Sequence, residues 1–272
     1  MEPIVDVDYL PSPVVQPPTS RDPDRVFPLD GIDLKSMRDE SLVTLLHSAP
    51  VLHQLGETTV VRLSKDLVMK GGGNVLPSEA AVMKLIESET RVRAPRVHRS
   101  FQVPDSTKYF GTMGYIVMDY IRGQPLDHCW GSLDEEPRHD VASQVANMIL
   151  GMQSVKVTQP GPICGGPCCG RFFTDYGAGP SQNKSEMEIW FNHKLAICKN
   201  SRNLILDPNG HVWLIDWADA GAYPPAFESA ALDSQQSFPD FNAMVLSPIP
   251  SYPVELGQLR SIEYGLQTAA FA

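Results

Sequence analysis

Apolar and polar positions change period about halfway along the chain. Thr58–Leu63 and Leu67–Lys70 are β-rich runs separated by Ser64-Lys65-Asp66, which predicts a β-hairpin ended by Gly71-Gly72-Gly73. Ser78 is a good N-cap for a helix from Glu79 to about Glu87, with Val82, Leu85 and Ile86 on one face. Pro95 to His98 breaks that pattern and leads to a further strand at Tyr115–Met118, so this half reads strand, strand, helix, strand. A shorter helix is predicted over Ser36–His47, with Leu42, Leu45 and Leu46 on its apolar side.

Beyond Gly123 the helical period takes over. Ser132 with Glu135 makes a capping-box candidate, and Val141, Val145, Met148, Ile149 and Met152 then recur on one face. Ser185 with Glu188 opens another predicted helix, and the tail from Val254 to Ala269 a last one. Between these lies a second hairpin. Asn203–Leu206 and His211–Ile215 flank Asp207-Pro208-Asn209-Gly210, and a Pro-Asn-Gly turn between apolar runs is a strong hairpin signal.

Composition narrows the class. The prolines before residue 29 predict an extended arm over residues 1–35, because proline fixes φ and removes a backbone donor. A net charge of −10 without a basic stripe argues against nucleic acid and against an anionic membrane surface. No stretch approaches a membrane span, and the opening residues lack a signal-peptide pattern, so a cytoplasmic protein is expected. The 5 cysteines give no disulfide framework. Cys164, Cys168 and Cys169 read as an irregular Gly/Cys loop, since no second ligand pair follows at zinc-site spacing.

The chemistry-bearing residues come in a meaningful order. Lys70 ends a strand, Glu79 opens the next helix, and an extended segment, Tyr115 to Ile121, precedes the helical half. Asn203 and Asp216 stand at the two ends of the second hairpin. Phosphoryl transfer needs a lysine on the phosphates, a glutamate to orient it, and hard oxygen ligands for magnesium. Asp216, between Ile215 and Trp217 after an apolar run, reads as a buried carboxylate in need of a partner.

On these residues the chain resembles the aminoglycoside phosphotransferase/choline kinase family, in its fungal branch. VVRLSKDLVMK is similar to that family's lysine strand and SEAAVMKLI to its glutamate helix. YIVMDYIRGQPLDHCW is similar to the interlobe hinge, and RNLILDPNGHVWLIDWADAGAYPPAFE to the metal-binding hairpin. The resemblance implies an α+β, protein-kinase-like two-lobed fold: a small β-rich lobe over residues 36–121 and a mainly helical one over 122–272. It implies ATP and Mg2+ as cofactors and a small-molecule hydroxyl as acceptor. It also implies that Lys70 touches the phosphates and pairs with Glu79. Met118, Asp119, Tyr120 and Ile121 would line the adenine pocket, Asn203 and Asp216 bind magnesium, and Asp219 face the acceptor.

One departure is large. The family carries His-x-Asp-x-x-x-x-Asn before its hairpin, and counting back from Asn203 puts Cys198 in the aspartate slot and Ala196 in the histidine slot. A thiol, with an ordinary pKa of ~8.5, does not replace that carboxylate as a base. No catalytic aspartate is therefore assigned. Three readings stay open: an ATP-dependent small-molecule kinase, a pseudokinase that binds nucleotide without transfer, or an active kinase whose sequence here lacks a short coding piece.

Overall fold

The computed structural model describes residues 26–157, 161–165, 203–218, 221, 223–234 and 238–257. The chain divides into two compact units. One comprises residues 1–77 and 97–120, the other residues 78–96 and 121–272.

The first unit is built on a five-stranded antiparallel sheet. Its strands are β1 (Val51–Leu55), β2 (Thr58–Arg62), β3 (Leu67–Gly72), β4 (Val97–Pro104) and β5 (Thr112–Asp119), in the order β1-β2-β3-β5-β4. The predicted hairpin is β2–β3, with Val60 opposite Lys70 and Val61 opposite Met69. Two strands were absent from the sequence reading. β1 turns into β2 through Gly56-Glu57, and Gly56 takes φ +54°, a backbone state glycine adopts freely. β4 pairs with β5 along its whole length.

Alternation along β3 sends Met69 and Gly71 to one face and Val68, Lys70 and Gly72 to the other. The first face packs against helix α1 (Asp39–Ser48). Leu42 and Leu46 of α1 join Val61, Leu63, Met69, Tyr115 and Val117 in one buried cluster, with Phe101 stacked on Tyr115 at its edge. The approach is so close that a Cβ on Gly71 would stand 2.6 Å from a Leu46 methyl. Lys70 thus lies on the sheet face turned away from this core.

The second unit is mainly helical. Helix α2 (Pro77–Glu89) begins two residues earlier than expected. Pro77 takes the first helical position, where its missing N–H costs nothing, so Ser78 lies inside the first turn and not at the cap. After the short strand β6 (Gln124–Pro125) come α3 (Leu126–Cys129), a 3-10 turn at Trp130–Ser132, and the long helix α4 (Glu135–Gln153). Asp134, not Ser132, is the N-cap of α4; the Ser132 hydroxyl instead donates back to the Cys129 carbonyl at 2.8 Å. Strands β7 (Leu204–Leu206) and β8 (Val212–Leu214) form the predicted second hairpin, and β6 adds to it in the order β6-β7-β8. Helices α5 (Ala226–Ser234) and α6 (Pro239–Leu246) follow.

The periodic residues of α4 are the core of this unit. Val141, Val145, Met148 and Ile149 are buried with Trp130, Leu204, Val212, Phe241 and Val245, and Met152 packs against them. Trp130 is held at both ends of its amphipathic ring system: its edge meets Phe241, and its Nε1 donates to Asp240 at 3.1 Å. The tail is helical over residues 253–257; the rest of that predicted helix, and the one predicted from Ser185, lie outside the described residues. No helix among the described residues is long and apolar enough to cross a membrane.

Candidate functional site

Lys70 sits in the central strand of the first unit, paired to Val60 on one side and Ile116 on the other. It is 7% exposed, and its own face carries the apolar Val60, Val68, Ile116 and Met118 together with Arg62, the partner of Val68. A buried lysine demands a compensating anion, which sets it apart from a solvated strand-end residue. Glu79, in the first turn of α2, is 2% exposed, and the same demand applies to it.

The segment with the candidate adenine-pocket residues, 118–121, begins where β5 ends. Met118 pairs with Val68 and shares the face of Lys70. The Asp119 Oδ1 lies 2.6 Å from His98 Nε2 of β4. Tyr120 is fixed within the first unit. Its N–H donates to the Asp66 carbonyl at 2.8 Å, and its ring lies 3.1 Å beneath the Arg62 guanidinium. Arg62 in turn donates to the carbonyls of Ser64 and Lys65 at 2.5 and 2.7 Å and lies 5.0 Å from the centre of the Phe27 ring. This clamp was not legible from sequence, because its aromatic partners, Phe27 and Tyr120, lie far from Arg62 along the chain. Ile121 is half-buried at the start of the second unit.

The second hairpin brings Asn203 and Asp216 to the same end. The Ile215 N–H donates to the Asn203 carbonyl at 2.8 Å, closing the hairpin beyond its last ladder pair, Leu204 with Leu214. Asp216 follows immediately with φ +58°, and among the described residues it is the one non-glycine with positive φ. Aspartate tolerates that left-handed state better than most side chains, at a cost of about 1 kcal/mol, and such strain concentrates where function fixes the backbone. Asp216 is exposed, which corrects the expectation of burial: the apolar run ends at Ile215, and the reversed backbone turns the carboxylate outward while Trp217 goes inside.

The other end of the hairpin is held by Asp207. Its carboxylate accepts from the backbone N–H groups of Asn209 and His211 and from Trp213 Nε1, at 2.8, 2.9 and 3.0 Å. Partial desolvation pushes the Asp207 carboxyl up, but the bonds from Trp213, His211 and Asn209 outweigh it and hold the acid below its ordinary value of 3.8. The Asp207-Pro208-Asn209-Gly210 turn predicted from sequence is therefore rigid, with Gly210 at φ +80°.

The donor set suits magnesium in kind. An amide oxygen and a carboxylate at one hairpin end match an ion that uses one or two protein oxygens and keeps its remaining positions for water and phosphate. Among the described residues no group of three or more His, Cys, Asp or Glu side chains forms a self-sufficient metal cage. Cys198 and Ala196, in the slots of the missing motif, and Asp219 lie outside the described residues.

No protein-family profile matches the chain, and no curated protein matches it in sequence. Solved structures match it in fold. The GDP complex of aminoglycoside 2'-phosphotransferase-IIIa superposes with a TM-score of 0.55 at 11% identity, over 86% of this chain and 91% of that one. The ADP-bound aminoglycoside phosphotransferase APH(2'')-Ib gives 0.51 at 13% identity, over 86% of each chain. The gentamicin complex of APH(2")-IIa gives 0.50 at 14% identity, again over 86% of each. Identity this low leaves the fold as the shared property. A lysine-bearing antiparallel sheet, a helical unit and a hairpin ending in Asn and Asp are here assembled in the α+β, protein-kinase-like fold of the aminoglycoside phosphotransferases.

Proposed function

We propose that this protein binds a nucleoside triphosphate with magnesium and transfers its terminal phosphoryl group to the hydroxyl of a small molecule. The observation that carries the reading is the hairpin end: Asp216, held at positive φ next to a backbone bond that closes on Asn203. In this reading Lys70 binds the nucleotide phosphates and Glu79 is its carboxylate partner. Met118, Asp119, Tyr120 and Ile121 flank the base. Magnesium held by Asn203 and Asp216 would draw off the charge that builds on the phosphate oxygens.

Transfer forms a bond from the acceptor oxygen to phosphorus and breaks the bond to the leaving nucleoside diphosphate. The transition state is loose, so positioning and charge stabilisation dominate and little proton abstraction is needed early. That lowers, without removing, the cost of having Cys198 where the family holds its base. The acceptor proton then leaves late, to water or to the transferred phosphoryl group.

The acceptor class is a hydroxyl-bearing small molecule, and solved relatives in fold include a gentamicin complex. The net charge of −10 favours a cationic or neutral acceptor over an anionic one. The occupied base slot favours a second reading, in which the protein binds nucleotide without transfer. Incubation with labelled ATP, magnesium and a panel of aminoglycosides and choline-like alcohols separates the two. A labelled product that disappears in Asp216→Asn supports transfer; nucleotide binding with no product from any acceptor supports the second reading.

A further inference from the structure

Gln144 is a half-buried residue on α4 with no titratable group, and no part of the chemistry above uses it. Its amide nevertheless makes bonds that matter for the hairpin. Oε1 accepts from the Val212 N–H at 2.9 Å, and Nε2 donates to the Gly210 carbonyl at 2.8 Å. The same Oε1 is approached by Arg93 Nη1 at 3.5 Å, and Nε2 also donates to Asp140 at 2.7 Å.

The placement follows from the sheet. β8 is an edge strand, and Trp213 and Ile215 direct their N–H groups towards β7. The N–H groups of Val212 and Leu214 therefore point away from the sheet. Left bare, they would be an open edge. Val212 is satisfied by the Gln144 side chain, and Leu214 by the Arg93 carbonyl at 3.0 Å. The Gln144 amide supplies one acceptor and one donor to the edge, as a neighbouring strand residue would. With strands of three residues, few ladder bonds fix the hairpin, so these outer contacts weigh heavily in setting where it lies on α4.

We infer that Gln144 is a positioning residue for the proposed metal-binding hairpin: by gripping Val212 of β8 and Gly210 of the turn it sets how the hairpin lies on α4, and so where Asn203 and Asp216 stand at its opposite end. The inference rests on the magnesium role proposed for that hairpin end. Groups bonded directly to metal ligands change metal affinity by about 10–100-fold when removed, and Gln144, which acts on the ligands through the hairpin, is expected at the low end of that range.

The test is calorimetric titration of the full chain with ADP, with and without magnesium, in wild type, Gln144→Met, Gln144→Glu and Asp216→Asn. The quantity read is the gain in ADP affinity that magnesium confers. Gln144→Met, similar in size but unable to bond, is expected to lower that gain by about ten-fold while leaving magnesium-free affinity as in wild type. Gln144→Glu keeps the acceptor for Val212 and Arg93 and is expected to lose only a few-fold. A wild-type gain in Gln144→Met overturns the inference, and so does an equal loss with and without magnesium, which is what simple destabilisation produces. If Gln144→Met does not fold, Gln144→Glu decides: a few-fold loss supports the role and no loss overturns it. Loss of the gain in Asp216→Asn alone sinks the role of Gln144 but not the hairpin reading. No gain in wild type sinks both.

Discussion

The backbone N–H of Ile215 donates to the carbonyl of Asn203 at 2.8 Å, one residue before the chain reverses at Asp216. That bond couples the one aspartate at positive φ among the described residues to Asn203, its partner at the proposed magnesium site. The φ of +58° is a testable property in itself. Asp216→Gly and Asp216→Asn should leave the melting temperature at or above that of wild type, because both residues accept this backbone. Asp216→Val should lower stability by about 1–2 kcal/mol. Equal stability of all three variants would show that the reversal is not held in solution.

Arg62 offers a second check. Its guanidinium lies over Tyr120 and bonds to the carbonyls of Ser64 and Lys65. Arg62→Leu should cost about 2–3 kcal/mol in chemical denaturation, and Arg62→Lys should recover little of it, since an ammonium cannot stack and fork at once. Full recovery by lysine would mean that only the charge matters.

Asp207 gives a pH dependence with a definite sign. Its folded acid is weaker in proton affinity than the unfolded one, so its stabilisation is present above the ordinary value of 3.8 and fades as pH falls through the lower folded value. Near neutral pH, Asp207→Asn should therefore melt lower than wild type, by about 1–3 kcal/mol. The gap should close in acid below about 3.8. A gap that is constant across that range would contradict the assignment.

Gly114 tests packing in the first unit. A Cβ there would lie 1.7 Å from the Val75 carbonyl oxygen and 2.7 Å from Gln102 Nε2, which itself donates to that carbonyl at 3.1 Å. Backbone cannot yield as a flexible side chain can. Gly114→Ala should cost more than about 3 kcal/mol, measured by denaturant unfolding, whereas Gly131→Ala, with open space around it, should be nearly neutral.

What the sequence shows of this fold depends on how much each element is buried on its own account. β3 and β5 are inner strands with near-continuous apolar runs, and the β7–β8 hairpin announces itself through its turn; all were legible. β1 and β4 are edge strands. Residues 53–55 of β1 and several of β4 are exposed, so their apolar signal is diluted. The Gly56-Glu57 pair between Leu55 and Thr58 was the available clue to β1. Ser78 misled because a good cap residue was weighed before the proline preceding it. The order of Lys70, Glu79, Asn203 and Asp216, on which the proposed site rests, was readable because phosphoryl-transfer chemistry restricts the residue types. Gln144 and Arg62 were not, since an amide 68 residues from its partner leaves no period or motif. The exposure of Asp216 was hidden too, because an apolar run says nothing about a backbone that reverses at its end.

The most direct test of the account is the binding of ATP to the full chain, measured by calorimetry with and without magnesium in wild type and Asp216→Asn. The asparagine keeps the backbone state and removes only the charge. The account predicts that magnesium tightens ATP binding in wild type and does so at least about ten-fold less in Asp216→Asn, with melting temperatures unchanged. Magnesium-independent binding of equal strength in both proteins, or no binding in either, would contradict it.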